Sequence, residues 1–107
     1  MKRWIAFSGV LWIALYAVIA LAQPADRFAD AAESLSRGRY GEAAARFEAL
    51  GDYPKAGQYA SYCRALEAGE NGSFSEAVSN FEALGDFLDS RMLAVYFRAR
   101  QYEAGEN

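Results

Sequence analysis

Arg64 and Arg98 stand 34 residues apart, at the same place in two copies of one phrase. A guanidinium presents a planar fork of N–H donors that can grip a carboxylate through two parallel hydrogen bonds. That is the chemistry of recognition. Bond-making chemistry needs other groups, and the chain is poor in them. It has no histidine and one cysteine, Cys63. Cys63 stands where the second copy has Phe97, so it reads as a small buried hydrophobe. Soft and imidazole ligands for zinc are missing. General acid–base or nucleophilic catalysis needs a tuned base beside the reacting group. The carboxylates offer none: Glu48 and Glu82 recur because the phrase recurs, and solvated helix faces account for them. Glycines stand singly, so no phosphate-cradling loop is present. The sequence predicts no enzyme and no cofactor.

The phrase spans positions 38–65 and returns at 72–99. Thirteen positions are identical, among them Gly38, Glu42, Ala43, Phe47, Glu48, Leu50, Gly51, Asp52, Ala60, Tyr62 and Arg64 with their partners 34 residues on. Tyr40/Phe74 and Tyr53/Phe87 are aromatic in both copies. A period of this size suits a two-helix unit that stacks on its neighbours.

Tyr40, Ala43, Phe47 and Leu50 form one helical stripe, and Phe74, Ala77, Phe81 and Leu84 repeat it. Ala43 and Ala77 would admit a neighbouring helix, with Phe47 and Phe81 as wedges. Gly51 and Gly85 suit left-handed helix stops. Asp52 and Asp86 suit N-caps, with Pro54 in the first turn of the following helix. Ser73 and Glu76 match a capping box. The resulting expectation is an all-α fold of five helices, at about 25–37, 40–50, 54–69, 74–84 and 88–104, successive ones antiparallel. The third carries Ala56, Tyr59, Cys63 and Leu66 on one stripe. The fifth is apolar around much of its circumference, through Met92, Val95, Tyr96, Phe97 and Tyr102. Such a helix wants cover on more than one side.

Ahead of this domain, Lys2 and Arg3 precede an uncharged apolar run over residues 4–22 that closes on Ala20-Leu21-Ala22. A positive start, apolar middle and small residues at the cleavage positions describe a secretory signal peptide, with a mature chain starting at Gln23. The competing reading is an uncleaved anchor, since 19 apolar residues nearly span the ~30 Å hydrocarbon core. Either way, residues 23–107 are expected outside the cytoplasm, secreted or in the cell envelope. Membrane contact is expected only through residues 4–22. Without Lys2 and Arg3 the chain keeps 9 basic and 14 acidic side chains. That acidic balance argues against nucleic acid, which binds basic patches.

The element G-x-[YF]-x-x-A-x-x-x-F, present as Gly38-Arg39-Tyr40…Ala43…Phe47 and Gly72-Ser73-Phe74…Ala77…Phe81, resembles the tetratricopeptide repeat (TPR). Ala31, Ala65 and Ala99 sit where that family has its small first-helix residue. The resemblance covers about 25–107, and the "FEALGDY/F" phrase looks like exported bacterial TPR-like proteins. There are departures. The large residues expected early in the first helix would fall on Ser61 and Arg64, and Phe28 and Tyr62 serve one position later. Gly-Asp-aromatic replaces the closing proline. The resemblance implies an α-solenoid of helical hairpins, in units of about 38–71 and 72–107. It also implies a non-catalytic role in binding a peptide or protein segment along a concave face lined by the first helix of each pair. On that face the candidates are Gln58, Tyr62, Arg64, Arg91, Tyr96 and Arg98. The alternative is a structural element that self-assembles through its fifth helix. That helix lacks a cap's polar outer face. The expectation is therefore an array that continues, or a helix that docks on another chain.

Overall fold

The computed structural model describes residues 24–105, and the segment expected to be a cleaved leader or an anchor, over residues 1–22, lies outside them. The described residues are helical, without strands. Helix α1 runs over residues 24–36. It is followed by α2 (Tyr40–Glu48), α3 (Ala56–Glu70), α4 (Phe74–Leu84) and α5 (Ser90–Glu103). No helix among the described residues is long and apolar enough to cross a membrane.

Glycines close the first four helices. Gly38 and Gly72 adopt φ of 78° and 85° after α1 and α3. In both places the next amide closes the helix on the carbonyl five residues back: Arg39 N–H on Ser34 at 3.0 Å, Ser73 N–H on Ala68 at 2.8 Å. This paired closure satisfies carbonyls the helix end would otherwise orphan. Gly51 and Gly85 match as closely, at 58° and 59°.

The entry to α3 differs from expectation. Asp52 and Pro54 lie in the turn before the helix, which starts at Ala56. In both copies the turn continues for several residues past the glycine. Tyr53 and Phe87 N–H bond Leu50 and Leu84 carbonyls, and Ala56 and Ser90 N–H then bond Tyr53 and Phe87 carbonyls. A left-handed residue follows in each. It is Leu88 in the second copy and Lys55 in the first. Proline locks φ near −65°, so Pro54, the counterpart of Leu88, cannot take that role and passes it one residue on. Ser73 does occupy the N-cap of α4, but its side chain makes no capping hydrogen bond, so the expected capping box does not close.

The start of α2 lies beside the end of α3, at Gly41 and Glu67. The end of α2 meets the first turn of α3, where Phe47 stacks on Tyr59 with ring centroids 5.1 Å apart. The pair is therefore antiparallel. Phe74 and Phe81 of α4 both stack on Phe97 of α5, at 6.2 and 5.8 Å.

Phe47 and Phe81 are fully buried, each at the centre of one apolar cluster. Their neighbours correspond. Phe28 meets Phe47 edge-on at 5.3 Å, and Tyr62, 34 residues later, meets Phe81 edge-on at 5.6 Å. The aromatics of the turns correspond too, Tyr53 contacting the ring of Phe28 and Phe87 that of Tyr62. Phe28 and Tyr62 thus hold equivalent positions. The second face of each wedge is filled differently. Tyr59 covers Phe47 and leaves room only for Cys63; Phe97 covers Phe81, and Leu93 takes the place of Tyr59. One large ring per site is kept, and the helix position that supplies it changes.

Candidate binding groove

Helix α3 lies between α2 on one side and α4 on the other. Along its open face runs a groove of about 600 Å³. Gly57, Ala60 and Ser61 of α3 form its floor, Phe47 and Glu48 one wall, and Asn80, Ala83 and Leu84 the other. The groove is open because its floor residues are small. At Gly57 a methyl group would meet nothing within 4 Å. Arg64 stands on the rim. Its Nε donates to Glu48 Oε1 at 2.9 Å across the helix pair, and its Nη1 to Glu67 Oε1 at 3.3 Å. Two acceptors fix the guanidinium without using all five of its N–H donors.

A second depression, of about 380 Å³, lies on α5. Its lining is Glu82, Gly85, Arg91, Ala94, Val95 and Arg98. Shifted back by 34, these six positions are Glu48, Gly51, Gly57, Ala60, Ser61 and Arg64, all part of the first groove. The ion pair recurs as well, with Arg98 Nη2 donating to Glu82 Oε1. A third depression of about 150 Å³ is lined by Arg27 and Asp30 of α1, Arg46 of α2 and Ala49 at the C-cap of α2. Their counterparts are Ser61, Arg64, Asn80 and Ala83, again lining the first groove. One concave feature therefore follows α1, α3 and α5.

The residues singled out from sequence divide between groove and elsewhere. Arg64, Arg91 and Arg98 line it. Arg91 Nε sits 2.7 Å from Asp86 Oδ1. Gln58 is exposed on α3 and does not line the groove. Tyr62 lies in the core, 8% exposed, and its hydroxyl donates to Asp89 Oδ1. Burial first, and this acceptor second, raise its pKa well above the ordinary tyrosine range. Tyr96 lies outside the groove on α5; its ring packs edge-on to Phe97, and its hydroxyl accepts from Arg100 Nη1 at 3.0 Å.

Sequence reasoning passed over Gly57, Ala60, Ser61 and Ala83. Their smallness is the only signal, and it becomes informative once the helices flanking them are known. Glu48 and Glu82 are likewise ion-pair partners across the helix pair, not merely solvated carboxylates. Cys63 is fully buried, as expected, and desolvation pushes its thiol up to about 11. Comparisons of the chain with protein families, with curated proteins and with solved structures found no match.

Proposed function

We propose that the domain is an exported, non-catalytic interaction module: a TPR-like stack of helical hairpins that holds a protein segment in the groove along α1, α3 and α5. The observation that carries this is the recurrence of the groove lining, six positions with their ion pair, at a 34-residue shift. A groove that repeats with the chain suits a ligand that is itself extended. Its floor of small residues leaves room for a backbone, and Arg64 and Arg98, at the same place on the rim 34 residues apart, offer N–H donors to carbonyls or carboxylates. The absence of histidine from the sequence and the buried, high-pKa state of Cys63 support a role without covalent chemistry.

The test is a selection of displayed peptides against the full chain in lipid nanodiscs. Gly57→Trp fills the groove floor from an exposed position where an added Cβ meets nothing within 4 Å, and helical circular dichroism checks that the variant is folded. Selected peptides should bind at least tenfold more weakly to Gly57→Trp and normally to Gln58→Ala, on the same helix but outside the groove. Peptides indifferent to Gly57→Trp would refute the groove as the site.

A further inference from the structure

Two neutral polar side chains line the α3 groove and bond nothing. Ser61 stands on its floor and Asn80 on its α4 wall, where Asn80 is half-buried. Among the described residues neither side chain has a hydrogen-bond partner. The charges beside them are taken. Arg64 Nε donates to Glu48 at 2.9 Å, and its Nη1 donates to Glu67 at 3.3 Å. The polar side chains in the groove left wholly without a partner are thus an amide and a hydroxyl.

The first copy shows what else these positions can hold. Shifted back by 34, Ser61 and Asn80 become Arg27 and Arg46. Those two arginines line the depression on α1, which measures about 150 Å³ against about 600 Å³ on α3. Arg46 pairs with Glu42 at 2.8 Å. The acid recurs as Glu76 and the arginine does not. Two long charged side chains have given way to two short neutral ones, in the part of the groove that has a helix on either side.

An asparagine amide offers one carbonyl acceptor and two N–H donors. A peptide unit offers one N–H and one carbonyl, so the two match group for group. A helix spends these main-chain groups internally, whereas a lone extended segment has them free. A segment laid over Asn80 strips water from its amide, and a polar group covered in this way costs free energy unless it is bonded. We infer, building on the groove as the binding site, that Asn80 and Ser61 recognise the main chain of an extended segment, and that this segment needs no charged side chain. Arg64 and Glu48 balance each other, so the groove favours neither sign.

The probe is a displayed library of segments of about ten residues, roughly 33 Å when extended, built only from Gly, Ala, Ser, Thr and Val. It is selected on the full chain in lipid nanodiscs, with empty nanodiscs as reference, and recovered segments are resynthesised with both ends capped. Their affinity should change by less than about twofold between about 50 and 500 mM NaCl, because no ionic contact is there to screen. N-methylation of the segment, one amide at a time, should weaken binding roughly tenfold at the amide that meets Asn80. Asn80→Leu removes the amide at similar volume, and should weaken binding roughly tenfold and abolish that N-methyl effect. Asn80→Arg, which installs the first copy's residue, is the second variant, and circular dichroism checks that both are folded. Recovery only from a parallel library that includes Asp, Glu, Lys and Arg overturns the inference; where Gly57→Trp abolishes that binding, the groove itself still stands. Equal N-methyl losses in wild type and Asn80→Leu, or no loss at any amide, also overturn it. Segments indifferent to Gly57→Trp, or none recovered from either library, overturn the groove and the inference together.

Discussion

Replacing Gly69 by alanine should destabilise this domain, although the same change inside most helices stabilises. Gly69 is buried within α3. Alanine there would ordinarily gain about 0.5–1 kcal/mol by restricting the unfolded chain. Here the added Cβ would stand 2.3 Å from both Cε1 and Cζ of Phe97. Carbon atoms pack at about 3.5–4.0 Å, so ring or helix must move by more than 1 Å. The ring is not free to move. It stacks on Phe81 at 5.8 Å with parallel planes, stacks on Phe74 at 6.2 Å, and meets the Tyr96 ring edge-on at 4.9 Å. Overpacking a held ring costs up to about 3 kcal/mol, leaving a net loss near 2 kcal/mol after the helix gain. For a domain of this size that corresponds to a fall in Tm of roughly 10 °C. The assay is thermal and urea unfolding of the full chain followed by helical circular dichroism. The decisive arm is a double-mutant cycle with Phe97→Cys, which installs the residue the first copy has at Cys63. In that background the steric cost disappears, and Gly69→Ala should stabilise by about 0.5–1 kcal/mol. The first copy already shows the exchanged arrangement, with Leu35 packed against the cluster that contains Cys63. Equal effects of Gly69→Ala in both backgrounds would refute the reasoning, as would stabilisation in the wild type.

Three other expectations rest on single sites. Ser90 Oγ is buried without a hydrogen-bond partner, and the first copy has Ala56 in its place; Ser90→Ala should raise stability by about 1 kcal/mol in urea titration. Lys55 holds φ at 65°, so Lys55→Gly should stabilise by roughly 0.5–1 kcal/mol, and a loss of stability would mean the turn rearranges. The Cys63 thiol titrates near 9 when unfolded and near 11 when folded. Its contribution is therefore complete below pH 9 and is lost as pH rises towards 11, because the unfolded state releases the proton first. Stability should fall by about 2–3 kcal/mol over that window. Cys63→Ala should flatten the decline.

Much of the local structure is legible in the residues. Gly38, Gly51, Gly72 and Gly85 mark helix ends because only glycine takes a left-handed φ there without cost. The Phe47 and Phe81 stripes mark inward faces because their spacing matches the helical period. The entry to α3 is less legible. Asp52 and Pro54 resemble a cap and a first turn, yet Tyr53 and Phe87 are drawn onto the rings of Phe28 and Tyr62, and the turn extends to reach them. Tertiary contact overrides a local preference worth about 1 kcal/mol.

The groove and the division of α5 into a packed and a bare face required the assembled helices. Glu48 and Arg64 are both visible as repeated residues, but their meeting across 16 positions depends on how α2 and α3 rotate against each other. Tyr62 and Tyr96 are one residue at one place in one phrase, and their surroundings differ because α4 lies over the first and no described helix lies over the second. Periodicity specifies which side of each helix is apolar, since that property belongs to residues three and four apart. Which apolar side is covered, and by what, belongs to residues far apart in the chain, and only their packing decides it.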